Sequence, residues 1–444
     1  LRDRKLLFIL ELADFEICQF SSTWRIFVLL GIHSRLIIMT DIQILNRPFI
    51  LPCGSRLKNR LCKAAMGENL AGAESEPTPE LLTLYDRWSS SGAGLLITGN
   101  VMVDLRAMGS GENVVVENDR HLALLTQWAE TAQQNGSACW MQINHPGRQA
   151  PRAFNREAVA PSAVPLAPRS VFYTPRPLTG REIFDIIDRF GNTAAVAQRA
   201  GFSGVQIHAA HGYLISQFLS PRTNQRNDEW GGSISKRARF LLEIYRNMRQ
   251  KTEVGFPISV KINSADFQRG GFTEEESLEV IGMLSAEGVD LLEISGGTYE
   301  KAAMMGHAQK ESTRQREAYF ADFIVKARQT TRTPLMLTGG FRSLGAMADA
   351  LRNNELDIIG LARPFALNPR VAHDLLEGKI ESSPVPPVRV GIPAIDRRGL
   401  LDTVWHNLQL KRMGSGKDPK PEMSGWTALW QSGKQILLRR LLKK

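Results

Sequence analysis

Ile207-His208-Ala209-Ala210-His211-Gly212-Tyr213 places two imidazoles and a phenol within seven residues, directly after Gly204-Val205-Gln206-Ile207, which reads as a short buried strand. Two imidazole N–H groups suit an oxygen that gains negative charge, and a phenol two residues on can deliver a proton. The segment is therefore equipped to polarise a carbonyl and protonate a neighbouring carbon. A metal is the first alternative, because the spacing is His-x-x-His. No cysteine lies downstream of Cys139 and no carboxylate flanks the pair at ligand spacing, so zinc is not expected. An inert, hydrogen-bonded structural pair is the second. Nothing in the segment supplies electrons or a nucleophile.

The elements that must position it recur along the chain. Eight short apolar runs, at about 60–66, 94–99, 138–143, 204–208, 257–262, 289–294, 334–338 and 357–361, are each followed by a helical pattern. Strands alternating with helices at this spacing make parallel βαβ units. Thr273 with Glu276 and Thr179 with Glu182 read as capping boxes, of helices that end near Gly288 and Gly201. Gly92, Gly136 and Gly255 read as closing others. Eight such units predict an α/β protein whose core is a closed (β/α)8 TIM barrel, in preference to an open doubly wound sheet. No G-x-G-x-x-G follows an early strand, which counts against a separate dinucleotide domain. The expected organisation is an N-terminal extension over 1–38, a barrel over 39–384 and a basic tail over 385–444.

In such a barrel the active site lies at the carboxyl ends of the strands. The residues that end or follow the runs are Ala64, Ala65, Met66 and Gly67; Gly99 and Asn100; Gln142, His145 and Arg148; His208, His211 and Tyr213; Lys261; Ser295 and Gly296; Gly339 and Gly340; and Ala362 and Arg363. Lys261 stands inside the apolar run Ile258-Ser259-Val260-Lys261-Ile262, where a lysine is hard to bury without a partner. The loops after strands seven and eight commonly hold a phosphate, and here they read Thr338-Gly339-Gly340-Phe341-Arg342 and Gly360-Leu361-Ala362-Arg363. Glycines admit backbone N–H groups to a phosphate and Arg363 adds a bidentate cation, which implies a phosphorylated ligand.

The chain from about Ile42 to Leu376 resembles the old yellow enzyme family of FMN-dependent ene-reductases. The resemblance is carried by Asn59-Arg60-Leu61-Cys62-Lys63-Ala64-Ala65-Met66, Gln142-Ile143-Asn144-His145-Pro146-Gly147-Arg148, His208 to Leu214, the Ser220 to Ser233 loop and Gly360-Leu361-Ala362-Arg363-Pro364-Phe365. It implies FMN at the barrel mouth and NADH or NADPH as co-substrate. It implies Ala64, Ala65 and Met66 along the flavin, Asn100 and Gln142 on its polar ring edge, Lys261 at the pyrimidine side, and Gly340, Ala362 and Arg363 on the phosphate. His208 and His211 would then hold the carbonyl oxygen of an activated alkene such as an enone, with Tyr213 as proton donor and Tyr299 as runner-up. One departure stands out: where many members place Thr, Cys or Ser beside the flavin O4, this chain has Gly67, followed by Glu68.

Composition narrows the partners. The formal net charge is +10, but 385–444 carries 12 Lys and Arg against 4 Asp and Glu, a balance of +8, and 1–38 adds 5 minus 4. The barrel is left near neutral, so the basic balance describes the tail and gives no nucleic-acid signal. Cys18, Cys53, Cys62 and Cys139 form no framework, which suits a reducing, cytoplasmic setting. Residues 1–38 begin with Leu1 and reach Met39 only at the start of the regular sequence, which suggests an over-extended gene start. The last stretch, from Trp426, reads as a basic amphipathic helix, expected to pack on the barrel or a second subunit ahead of touching a membrane surface. Two other functions stay open: a flavin barrel that oxidises or isomerises its substrate, and a flavin-binding scaffold recruited through its tail.

Overall fold

A computed structural model describes the backbone of residues 39–301, 317–396 and 400–442 and, apart from 393–394, 400 and 435–442, their side chains. The extension expected at 1–38 lies outside the described residues, as do the side chains of the tail's last cations, Arg439, Arg440, Lys443 and Lys444.

Eight parallel strands close into a barrel: β1 (Leu61–Lys63), β2 (Leu95–Met102), β3 (Ala138–Asn144), β4 (Gly204–Ala209), β5 (Ile258–Asn263), β6 (Leu291–Ser295), β7 (Leu335–Thr338) and β8 (Ile358–Leu361). Each pairs with its sequence neighbours, and β8 returns to β1 through Gly360 opposite Cys62. The intervening helices are α1 (Pro79–Ser89), α2 (Leu122–Gln133), α3 (Gly180–Arg199), α4 (Ile234–Lys251), α5 (Glu274–Ala286), α6 (Ala321–Thr330) and α7 (Leu344–Arg352). Both capping boxes form, at Thr179 with Glu182 and Thr273 with Glu276. The glycines after those helices, Gly201 and Gly288, take left-handed φ values of +86° and +83°, which a side chain would resist. Gly255 does not close α4 in this way, because that helix already stops at Lys251, with Thr252 extended.

Strand parity sorts the side chains. Val260 and Ile262 of β5 and Leu292 and Ile294 of β6 face the helices in the main core. The alternate positions face the barrel interior, whose floor is apolar: Cys62, Leu95, Ile97, Trp140, Leu291, Met336 and Ile358 cluster there with Leu51 and Leu57 of a short hairpin, Phe49–Ile50 with Arg56–Leu57. Two positions beyond Trp140 on β3 and Leu291 on β6, and at the inward positions of β4 and β5 between them, the interior turns polar, at Gln142, Gln206, His208, Lys261 and Glu293. Water-avoiding residues thus seal one end of the barrel while polar ones gather under the other.

Beyond the barrel lie α8 (Leu400–Gly414) and α9 (Gly425–Leu442). α8 packs on the barrel, against α1 and the short helix Arg363–Leu367. Leu410 and Met413 join the main core, while Leu401, Trp405 and Leu408 pack with Val388, Val390, Met423 and Ala428. Because α8 has apolar residues on both faces, no single amphipathic stripe marks it in the sequence. On α9, Trp426 and Trp430 are exposed.

Candidate active site

His208 is the last inward position of β4, and His211 follows the strand with a left-handed φ of +61°. That conformation is uncommon outside glycine and marks a position held by its surroundings. Here the amide N–H of His211 donates to Asn263 Oδ1 at 3.1 Å. The turn sets the two rings edge to face, centroids 5.1 Å apart, and brings the Tyr213 ring to 4.8 Å from His208.

The protonation states follow from the neighbours. The Ala210 N–H donates to Nδ1 of His208 at 3.3 Å, which makes that nitrogen an acceptor and leaves the ring proton on Nε2. Nε2 of His211 lies 2.9 Å from Ser295 Oγ. Burial pushes both imidazoles well below the usual histidine range; the neighbouring His211 adds to this for His208, and the Lys261 charge adds to it for both. Both rings are therefore neutral and donate hydrogen bonds without carrying charge. Burial raises the Tyr213 phenol, and a hydrogen bond with Asn100 pulls it partly back. Its proton stays in place at neutral pH.

Asn100 is positioned by a break in register. Strands β2 and β3 pair evenly up to Ile97 with Trp140 and resume at Asn100 with Gln142, so β2 bulges between them. Glu68 fills the bulge, its Oε1 accepting from Gly99 N at 2.7 Å and from Tyr85 OH at 2.6 Å. Lys63, which points outward onto the Trp88 ring, lies 3.9 Å from the same oxygen.

Across the barrel, Lys261 does have the partner that its burial demands. Glu293 stands opposite it in register on β6, with Nζ to Oε1 at 2.8 Å. The chain continues through Gln206 Nε2, which donates to Glu293 Oε2 at 2.8 Å, and Gln142 Nε2, which donates to Gln206 Oε1 at 2.8 Å. Reasoning from the sequence missed Glu293 and Gln206, although a carboxylate within Leu291-Leu292-Glu293-Ile294 is the same kind of signal as Lys261.

At the ends of β7 and β8, Gly339 and Gly340 have φ of +133° and +98°. A Cβ on Gly340 would come within 2.8 Å of Ala318 N, so glycine is required there. Glu317 already accepts from the amides of Arg342 and Ser343, at 2.7 and 3.0 Å. The amides at the start of α7 are thus already taken up by Glu317, while Gly340, Ala362 and Arg363 are partly exposed. Ala64 is buried, while Ala65, Met66 and Asn100 are partly exposed.

Three other residues from the sequence reading have partners of their own. His145 is buried, with its Nδ1 accepting from Gly147 N and its pKa lowered to about 4, mainly by burial. Arg148 is tied to Glu300 at 2.6 Å and to Pro165 O. Tyr299 is 50% exposed and packs on Phe172.

Residues 47–381 match the NADH:flavin oxidoreductase / NADH oxidase family. The NADH-dependent flavin oxidoreductase iliE of Hypocrea jecorina is 39% identical over 348 residues, which span 72% of this chain and 86% of that protein. Among solved structures, 2-naphthoyl-CoA reductase superposes with a TM-score of 0.72 at 24% identity, covering 77% of this chain and about half, 54%, of that one. Morphinone reductase superposes at 0.64, with 24% identity, over 79% and 92% of the two chains. The structural likenesses establish the barrel; the sequence match establishes the lineage. This chain belongs to the NADH:flavin oxidoreductase / NADH oxidase family, that of old yellow enzyme, and is an oxidoreductase whose cofactor is FMN and whose reductant is a reduced nicotinamide.

Proposed function

We propose that the protein uses NADH or NADPH to reduce the activated C=C bond of α,β-unsaturated carbonyl compounds, in two half-reactions that alternate in one pocket. The observation that carries this reading is the packing of the His208 ring against His211 and Tyr213 at the end of β4, with centroids 5.1 and 4.8 Å away, where burial keeps both imidazoles neutral and the phenol protonated.

The residues fit the cofactor. Thr338 Oγ1 is buried without a hydrogen-bond partner among the described residues beside the Gly339-Gly340 turn, which is the kind of orphan a bound polar group satisfies. In this reading Ala64, Ala65 and Met66 line the flavin, Asn100 and Gln142 meet its polar edge, Lys261 lies at its pyrimidine side, and Gly340, Ala362 and Arg363 hold its phosphate. Bound FMN supplies hydride transfer, from the nicotinamide and on to the alkene β-carbon.

The rest is the work of the chain. Nε2–H of His208 and the ring of His211 hold the carbonyl oxygen, where charge develops as the β-carbon gains its hydride. One preorganised donor of this kind stabilises the transition state by about 2.7–4 kcal/mol. Neutral rings suit the role, because a histidinium would leave a buried charge uncompensated once product departs. Tyr213 gives its hydroxyl proton to the α-carbon, and Asn100 orients that hydroxyl.

Anaerobic mixing tests the reading. NADH or NADPH should bleach the visible flavin band, and cyclohexenone added afterwards should restore it. Conversion of the substrate with no nicotinamide present would point instead to an isomerase or oxidase, and a flavin that the nicotinamide leaves oxidised to a binding scaffold.

A further inference from the structure

The barrel interior holds a charge pair that the mechanism above does not use as a pair. Lys261 and Glu293 are 3% and 0% exposed, stand opposite one another in register, and lie 2.8 Å apart, Nζ to Oε1. Glu293 is the ionic partner of Lys261 among the described residues, and Oε1 has no further hydrogen-bond partner there. Its other oxygen is fixed by Gln206, which is itself held by Gln142. The carboxylate is thus clamped from one side by an amide chain and faces the ammonium on the other. A charge locked this way in a low-dielectric interior acts strongly on whatever lies beyond its partner.

We propose that Glu293 is a positioning residue that limits how much of the Lys261 charge reaches the cofactor, and so sets the reduction potential of bound FMN. This rests on the reading that places Lys261 at the pyrimidine edge. A bare ammonium there would favour the reduced, more negative cofactor; an ammonium half-neutralised by a carboxylate favours it less. The potential is thereby kept low enough for the reduced cofactor to pass its hydride on. Gln206 and Gln142 form the brace, because without them the carboxylate could rotate away from Lys261.

The test is the potential of the FMN-loaded protein, measured by equilibration with a reference dye in wild type, Glu293→Gln, Lys261→Met and the double variant. Glutamine keeps the shape and can still accept from Gln206, so folding is a separate readout, checked by thermal melting. Glu293→Gln should shift the potential to more positive values, by about 30 mV for each tenfold gain in the preference for reduced over oxidised FMN. In the Lys261→Met background the same substitution should shift the potential much less, because no ammonium is left for the carboxylate to offset. An unchanged or lower potential in Glu293→Gln, or an equal rise in both backgrounds, overturns the proposal while leaving the FMN reading intact. A wild-type protein that takes up no FMN would instead defeat the reading on which the proposal stands.

Discussion

Glu68 Oε1 accepts the amide proton of Gly99 at 2.7 Å, so the loop after β1 grips β2 at the point where that strand bulges. Two glycines beside this contact should respond in opposite ways. A Cβ on Gly99 would fall 1.9 Å from Glu68 Oε2 and 2.4 Å from Met66 O, whereas a Cβ on Gly67 would meet nothing closer than Asn100 Oδ1 at 3.6 Å. Gly99→Ala is expected to lose about 1–3 kcal/mol by overpacking. Gly67→Ser, which restores a hydroxyl where many family members have one, should stay within about 0.5 kcal/mol of wild type and move the flavin potential. Glu68→Ala should cost more, about 3–5 kcal/mol, because it leaves Gly99 N and Tyr85 OH unpaired and removes the carboxylate beside the buried Lys63, whose Nζ keeps its bond to the Ile97 carbonyl. Urea unfolding of the three variants checks the order.

Acid should destabilise the protein through its buried histidines. His145 and His406 both have pKa values lowered to about 4, chiefly by burial, against about 6.5 unfolded. Between those values the unfolded chain binds protons that the native one refuses, so stability falls as pH drops below about 6.5 and the loss is complete near 4. At one and a half units below the unfolded value, near pH 5, each contributes a loss of about 2 kcal/mol. His145→Gln should therefore flatten the decline in unfolding free energy between neutral pH and pH 5 by about 2 kcal/mol. A slope identical to wild type would show that this ring is not among the groups responsible.

The segment after Pro384 is expected to be needed for a stable barrel. α8 lies against α1, where Gly414 abuts the Glu80 carbonyl, and Lys411 pairs with Glu112 at 3.1 Å. Trp405 is buried at its centre, with Nε1 donating to Met423 O at 2.7 Å. Trp405→Ala should cost about 3–5 kcal/mol, and removal of 385–444 should lower the melting temperature and promote association through the bared face. A truncated protein that melts with the full chain would show the contact to be dispensable.

The eight runs were legible as strands because each is short, apolar and bounded by helix signals, and the capping boxes at Thr179 and Thr273 were legible because they are local. His208, His211 and Tyr213 could be read because three reactive side chains stand within one loop. Glu293 and Gln206 escaped because their meaning lies in register: each gains its role from a residue on another strand, and spacing along one strand does not report that pairing. The grip of Glu68 on Gly99 escaped for a similar reason, since it depends on a bulge that only the paired strands reveal. α8 was hidden because a helix with two apolar faces lacks the single stripe that marks a surface helix.

The most direct measurement separates the two half-reactions in His208→Ala and His211→Ala. Each variant should keep its yellow colour and be bleached by NADH or NADPH about as fast as wild type, while reoxidation by cyclohexenone slows by about 10²–10³-fold, the value of one lost oxyanion donor. Equal slowing of both half-reactions, or wild-type reoxidation, would contradict the assignment of this pair to the substrate oxygen.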